Sequence, residues 1–338
     1  MQNISLILDC SLKGELSIMN KKEIRKALRN NLTIRWLSRI RFSLWIEFYS
    51  KRKSDFDFVS EMYKKGTGRE LNLINPKRYT EKLQWLKLFY RDPLITQCSD
   101  KYEMKNYLKE VGHPELAVET LDIYDSVEDI NFDCFPQKFI LKATHGSGWN
   151  LIGDNKSNVD WKGWKRLFKI WEKQNPHWLG REWNYADVKP RIILEKFLED
   201  DSGELRDYKI FCFNGNPTYM QIDENRFSGH KRLYFERNGR PLDMIDSQVQ
   251  KTELTVEFGE IQERMFKIAE ELCKPFPMVR IDFYESNGNL YIGEFTFFDG
   301  SGFYSFEPDE WDFVWGEKLQ LPEPNHNLEL YNKLYNKN

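Results

Sequence analysis

"KFILKATHGSGWNLIGD", residues 138–154, decides how this chain is read. An apolar run carries one lysine, Lys142, and then opens into His-Gly-Ser-Gly. Strand side chains alternate between faces, so Lys142 shares a face with Ile140. A lysine there is partly desolvated, which is costly unless an anion pairs with it. The glycines beyond it let backbone N–H groups approach and cradle phosphate oxygens. The competing reading is a solvated strand end followed by an ordinary turn. The chain has no G-x-x-x-x-G-K-[ST] and no G-x-G-x-x-G, so neither standard phosphate-loop pattern applies.

A second stretch, "VRIDFYESNGNLYIGEFTFF" (279–298), interrupts apolar strands with Arg280, Asp282 and Glu294. Charges in such strands are expensive unless they bind a metal or one another. A three-residue loop, Ser286-Asn287-Gly288, would pair 285 with 289 and bring all three charges to one face. A two-residue Asn-Gly turn would place Asp282 and Glu294 on opposite faces. An Arg280–Glu294 salt bridge competes with a Mg²⁺-nucleotide site for this pattern, and converging carboxylates favour the latter. In a third stretch, "IILEKFLEDDSGELRDYKIF" (192–211), Glu195 and Lys196 end one apolar strand and Lys209 lies inside the next.

Around these stretches the chain reads as a sizeable mixed protein. Its 338 residues are long enough for two or three domains, and 40% hydrophobic with 15% aromatic content excludes a disordered chain. Fifty basic against 53 acidic residues give no general affinity for nucleic acid. Five scattered cysteines without C-x-x-C suit a reducing compartment and argue against a disulfide frame or zinc site. No apolar run is long enough to cross a membrane. The start lacks a basic region and breaks at Asp9, so no signal peptide is expected, and Met19 is a second candidate start. The expected localisation is cytoplasmic.

Periodicity predicts a helix over 80–93 with Thr80 as cap and Pro93 as stop, and another over 99–112 closed by Gly112. A helix begins at Asp160 and puts Trp161, Trp164, Phe168 and Trp171 on one face, which suits a core better than sugar stacking. Strands follow at 190–198, 204–213, 217–223 and 231–237, then a helix over 261–274. Without regular β-α-β units the expected class is α+β rather than doubly wound.

Residues 21–53 carry 11 basic and 2 acidic residues, with Leu28, Leu32, Trp36, Ile40, Leu44 and Trp45 at helical spacing. Two readings stand: a basic amphipathic helix in peripheral contact with the inner face of a membrane, or a helix docked on its own protein. "DENRFSGHKR" (223–232) supplies Arg226, His230 and Arg232 as candidates for an acidic substrate, against the reading of an exposed charged hairpin.

Together "NLINPKRYTEKLQWLKL", "KFILKATHGSGWN", "PRIILEKFL", "DYKIFCFNGNP", "VRIDFY" and "GEFTFFDGSGF" resemble, in order and content, the TupA-like branch of the ATP-grasp enzymes. That branch is linked to teichuronopeptide and other surface polysaccharides. The resemblance covers roughly residues 65–320. It implies an ATP-grasp fold, two α/β subdomains clamping a nucleotide, with a helical N-terminal region. The implied divisions are 1–64 (basic helical region), 65–135 (pre-grasp region), 136–320 (nucleotide-binding and catalytic region) and 321–338 (tail).

By the same resemblance Lys101 and Lys142 would hold the α- and β-phosphates of ATP, with the backbone of Gly146, Ser147 and Gly148 closing over them. Glu195 and the backbone from Lys196 to Leu198 would read adenine. Lys209 and Arg280 would lie on the transferring phosphoryl group, and Asp282 and Glu294 would hold Mg²⁺. Thr296 stands where many ATP-grasp enzymes have asparagine, and a hydroxyl is the weaker ligand. The implied reaction is ATP-dependent ligation of a carboxylate to an amine, joining an acidic sugar or polysaccharide precursor to an amine or amino acid. An ATP-grasp kinase and a glycosyltransferase of capsule or O-antigen assembly are the rivals, although no convincing Asp-x-Asp supports the latter.

Overall fold

Asn31 accepts the Ile34 N–H (3.1 Å) and so caps helix α1, Leu32–Phe48. The computed structural model describes residues 31–199, 207–224, 231–246 and 258–335. Helix α2, Asp55–Thr67, is capped by Ser54 and closed by left-handed Gly68. Helix α3 spans Tyr79–Phe89, and its cap differs from the expected one. Glu81 accepts the N–H groups of Lys77 and Arg78, while Thr80 is buried inside the first turn. Pro93 does not stop that helix but opens the next, α4 (Pro93–Ser99), which Asp92 caps. Helix α5 is shorter than its sequence pattern, Glu103–Glu110. The Asp100 carboxylate accepts the Tyr102 N–H (2.8 Å), and this local turn keeps Lys101 outside the helix.

Strands β1 (Thr120–Tyr124), β2 (Phe139–Ala143) and β3 (Asn150–Gly153) precede helices α6 (Trp161–Trp171) and α7 (His177–Gly180). Strand β4, Ile192–Lys196, then completes a four-stranded antiparallel sheet in the order β1-β4-β2-β3. Strands β5 (Asp207–Phe213), β6 (Asn216–Glu224) and β7 (Lys231–Glu236) belong to a second sheet, and β8 (Ile245–Asp246) to a short one. Helix α8, Glu260–Leu272, leads into β9 (Met278–Ser286) and β10 (Asn289–Thr296). The second sheet is antiparallel in the order β10-β9-β5-β6-β7. Strand β11 (Phe306–Glu307) pairs with β8, and helices α9 (Glu310–Lys318) and α10 (Leu328–Tyr335) end the described chain.

Alternation sorts the two faces of each sheet. In the smaller sheet Phe139, Leu141, Ala143, Ile192 and Leu194 are buried with Leu167, Phe168 and Trp171 of α6. The aromatic stripe of α6 is therefore core on its inner side, and Lys142 projects from the opposite face of β2. In the larger sheet Ile210, Cys212, Ile281 and Phe283 join the core with Met265, Phe266, Ala269 and Leu272 of α8. Lys209, Arg280 and Asp282 alternate with these apolar residues and so occupy the other face.

Helices α3 and α9 are joined by polar contacts at the edge of the larger core, among them Lys82 Nζ donating to the Gly316 carbonyl (2.8 Å). Asp312 accepts from the Thr80 N–H (2.9 Å) and hydroxyl (2.8 Å). Gly316, one turn later, lies against the backbone, where an added Cβ would stand 2.0 Å from the Lys77 carbonyl oxygen. Backbone cannot move aside as a side chain can. Gly316→Ala is therefore expected to destabilise the fold by about 1–3 kcal/mol, read as a lower urea midpoint at unchanged slope. Wild-type stability in that variant would show that the two helices separate freely.

Candidate active site

The β9–β10 hairpin turns through Asn287 and Gly288, both left-handed at φ 52° and 80°. This two-residue turn pairs Ser286 with Asn289, so the three-residue loop considered from sequence is not formed. Continued without interruption, the register would send Asp282 and Glu294 to opposite faces. A bulge at Gly293 restores the shared face: Ile292 pairs with Phe283, and Glu294 pairs with Asp282. A Cβ on Gly293 would lie 2.5 Å from the Tyr284 ring, so the bulge sits tightly against that side chain.

Arg280 organises the resulting face. Its Nε and Nη2 donate to the two Asp282 oxygens at 2.7 and 2.8 Å, a bidentate fork. Nη1 bonds Asp299, and Nη2 also reaches Thr296 Oγ1 (3.1 Å) and Glu294 Oε1 (3.5 Å). On the neighbouring strand Lys209 bonds Asp207 and lies 3.2 Å from Asp223 and 3.8 Å from Asp282. Asp223 in turn takes Arg232 Nε at 2.8 Å. Arg232 thus belongs to the sheet network, while Arg226 and His230 lie outside the described residues.

The smaller sheet supplies the other wall. Lys142 Nζ lies 2.7 Å from Glu195 Oε2, and Lys105 Nζ lies 2.6 Å from Glu195 Oε1. Lys101 donates through its N–H to the Thr144 carbonyl (3.2 Å) and through Nζ to the Gly146 carbonyl (2.6 Å). It also stands 3.7 Å from Glu294 of the larger sheet, so the two walls meet there. The loop between β2 and β3 closes where the Ala143 N–H donates to the Trp149 carbonyl (2.9 Å). Ser147 and left-handed Gly148 are exposed at its tip. Lys196 points to solvent and pairs with Glu119, and its N–H donates to the Glu119 carbonyl (3.0 Å). That N–H is committed within the fold; Leu198 is half-buried nearby.

Sequence reasoning missed Lys105, Asp207, Asp223 and Asp299. Lys105 lies four residues after Lys101, and Asp207 lies two residues before Lys209 on the same strand face, so spacing was the signal available for both. Asp223 and Asp299 enter only through cross-strand register and the turn after β10.

Among the described residues this network joins six cations (Lys101, Lys105, Lys142, Lys209, Arg232, Arg280) to six carboxylates (Asp207, Glu195, Asp223, Asp282, Glu294, Asp299). Burial pulls the Lys101 ammonium below the ordinary lysine value, Glu294 opposing and Lys142 adding to it. Burial would raise Glu294, yet Lys101, Arg280, Lys209 and Lys142 outweigh it and hold that carboxyl at about 2. Burial likewise opposes the charge on Glu195, which Lys142 and Lys105 nevertheless keep ionised below the usual carboxylate range. For Asp282 burial wins: with Glu294 adjacent, it pushes the carboxyl up to about 7 against Arg280 and Lys209.

These oxygens suit a hard cation. Asp282 and Glu294 face each other across the hairpin, and Thr296 Oγ1 lies 3.4 Å from Glu294 Oε1. Among the described residues no group of three or more His, Cys, Asp or Glu could hold a metal ion. A set of one or two carboxylates is what Mg²⁺ uses when substrate phosphates complete its shell.

A family model described as TupA-like ATPgrasp matches residues 81–320. Among solved structures the chain is similar to a D-alanine–D-alanine ligase from Bacillus anthracis, at 18% identity over 64% of this chain and 58% of that one, TM-score 0.33. It is similar to the Helicobacter pylori D-alanine–D-alanine ligase at 15% identity over 72% and 70%, TM-score 0.36. The chain thus spans less than two thirds of the Bacillus enzyme. No curated protein matches it.

Gly293→Leu would drive its side chain into the Tyr284 ring and disturb the bulge that seats Glu294 opposite Asp282. The expected result is Mg²⁺-dependent ATP turnover reduced at least tenfold, about 1.4 kcal/mol, with far-ultraviolet dichroism retained. Gly293→Ala, which adds a single methyl group, should lose less. Equal activity in Gly293→Leu and the wild type would show that the bulge does not govern the placement of Glu294.

Proposed function

Since the chain belongs to the TupA-like ATP-grasp family, we propose that it is an ATP-dependent carboxylate–amine ligase of cell-surface polysaccharide assembly. It joins an acidic sugar, such as a uronic acid, to an amine or amino acid. The observation that carries this reading is the convergence of Lys101, Lys142, Lys209 and Arg280 on the Asp282–Glu294 pair. Acyl activation by ATP needs charge stabilisation on a phosphoryl group and no protein nucleophile.

The residues divide the work between the two walls. Lys142 on the smaller sheet and Lys101 in the turn beside it bind the phosphate chain, and the exposed Ser147–Gly148 tip closes over it. Glu195, fixed between Lys142 and Lys105, orients Lys142 and stands beside the adenine end of the cleft. Lys209 and Arg280 spread the charge of the phosphoryl group in transfer. Asp282, Glu294 and Thr296 would hold Mg²⁺, which supplies further neutralisation of phosphate oxygens when bound. A carboxylate oxygen of the acid attacks the γ-phosphorus and ADP leaves. The amine nitrogen then attacks the acyl carbon, phosphate leaves, and the amide forms with loss of the ammonium proton. The Arg226–Arg232 segment is assigned to holding the acid.

The membrane reading gains a defined surface. Arg35 and Arg39 turn inward, and Lys51 and Lys53 pair with Glu47 and Glu61. Leu37, Leu44 and Phe48 are 40%, 52% and 64% exposed on the outer side of α1, with Arg41 among them. This stripe rests on an anionic lipid surface, its apolar side chains at the acyl boundary and the neighbouring cations on head groups. Among the described residues no helix is long and apolar enough to cross a membrane.

Two measurements test these assignments. Lys142→Met removes charge at similar volume, and ATP affinity or turnover should fall at least tenfold, about 1.4 kcal/mol, with folding little changed. ADP release should depend on both an acid and an amine; phosphorylated acid without amide would mark a kinase instead. Wild-type ATP kinetics in Lys142→Met would end the assignment of that lysine. Separately, Leu44→Ser/Phe48→Ser should weaken co-sedimentation with phosphatidylglycerol vesicles about tenfold or more, since burying one such side chain is worth ~1.5–3 kcal/mol. Unchanged sedimentation would make α1 an internal element only.

A further inference from the structure

Helix α1 lies outside residues 81–320, the part of the chain that the family model matches, yet it touches the loop on which the nucleotide reading depends. That loop, between β2 and β3, is built on Trp149. The indole stacks on Trp171 of α6 at 5.8 Å with planes 6° apart, and His145 packs edge-on at 5.2 Å. A Cβ on Gly146 would stand 2.5 Å from the Trp149 ring, so the loop backbone lies directly on the indole. His145 is fixed too, its Nε2 2.9 Å from the Trp171 carbonyl oxygen. Whatever sets the indole therefore sets Gly146, whose carbonyl receives Lys101 Nζ at 2.6 Å.

Arg39 of α1 is one of the groups that set it. Its guanidinium lies 5.4 Å from the Trp149 ring centroid, within the range of a favourable cation–π contact. Its position is fixed from behind: buried Gln174 donates to the Arg39 carbonyl (3.2 Å) and to Ser43 Oγ (2.8 Å). Arg35, one turn earlier, makes a comparable contact with α6, 4.6 Å over Trp164 and 5.9 Å over Trp171. It touches no residue of the loop in this way. The two arginines thus differ in the rings they cover: Arg39 lies over Trp149 of the loop and Phe42 of its own helix, Arg35 over Trp164 and Trp171 of α6.

We propose that Arg39 is a positioning residue for the nucleotide site, holding the 144–149 loop in its phosphate-binding shape through Trp149. This rests on the nucleotide reading given above. The N-terminal helix is then a working part of the cleft and not only a cover for α6.

The test compares Arg39→Ala, Arg39→Lys and Arg35→Ala in the full chain, with Lys142→Met as reference. Mg-ATP affinity is measured by calorimetry, and KM for ATP and kcat are measured separately in the ADP-release assay. Arg39→Ala should weaken ATP affinity roughly five- to tenfold, chiefly in KM. Arg39→Lys, which keeps a cation over the ring, should recover part of it. Arg35→Ala should stay within about twofold of the wild type in ATP affinity even if its melting temperature falls as far. Equal losses in the two alanine variants would reduce Arg39 to a packing role, and wild-type affinity in Arg39→Ala would overturn the proposal outright. If the wild type binds ATP and Lys142→Met does not, such a failure belongs to Arg39 alone. If the wild type binds no ATP, both the nucleotide reading and this inference fall.

Discussion

A guanidinium buried against three carboxylates holds the charged face of the larger sheet together. Left unpaired in that position, Arg280 would cost several kcal/mol. Its planar fork instead ties β9 to itself through Asp282, to β10 through Glu294 and Thr296, and to the following turn through Asp299. Those carboxylates outweigh burial and keep the arginine firmly charged. A lysine could not reproduce this, having one point charge and no fork. The turn carrying Asp299 is fastened from a second side, where Gln84 and Lys87 of α3 donate to the Ser301 carbonyl at 3.0 and 2.6 Å. Helix packing and site geometry are therefore one problem in this molecule.

The parts legible from sequence were those fixed by alternation. Lys142 leaves the core because Phe139, Leu141 and Ala143 enter it, and the same parity carries Lys209 and Arg280 to a shared face. The α+β class followed from antiparallel strands without regular crossovers, and the sheets bear it out. Family membership agrees with the motifs that suggested it. Less legible was anything set by a single residue of backbone irregularity. The Asn287-Gly288 turn, read alone, separates Asp282 from Glu294, and only the bulge at Gly293 reunites them. Helix boundaries failed for a similar local reason: Glu81 and Asp100 capture N–H groups that a propensity reading assigns to Thr80 or to a longer helix. Asp223 and Asp299 depended on partners distant in sequence, which no local pattern contains.

The basic N-terminal block shows how little net charge says about direction. From sequence its arginines form one class, but their environments divide them. Arg35 and Arg39 lie over tryptophans and lose part of their hydration, and burial lowers both below the ordinary arginine value. Arg41 stays in water on the same helix, beside leucines that the fold leaves uncovered. Helical spacing marked both the inner tryptophan and the outer leucine as apolar, and only packing against α6 separated their roles.

The lysines of the cleft already carry partners: Lys142 and Lys105 share Glu195, and Lys101 divides itself between a carbonyl and Glu294. Among the described residues such a cleft presents little free positive field to its surroundings. Long-range steering draws an anion in only where charge is uncompensated. Under the nucleotide reading proposed above, a polyanion entering here would meet an exchange of counter-ions at close range, each new contact forming as an internal one loosens. Encounter is then governed by shape and diffusion more than by attraction, and bulk salt has little hold on its rate. Discrimination falls to the length of the incoming anion, because a short one displaces one internal partner while a longer chain displaces several in the same event.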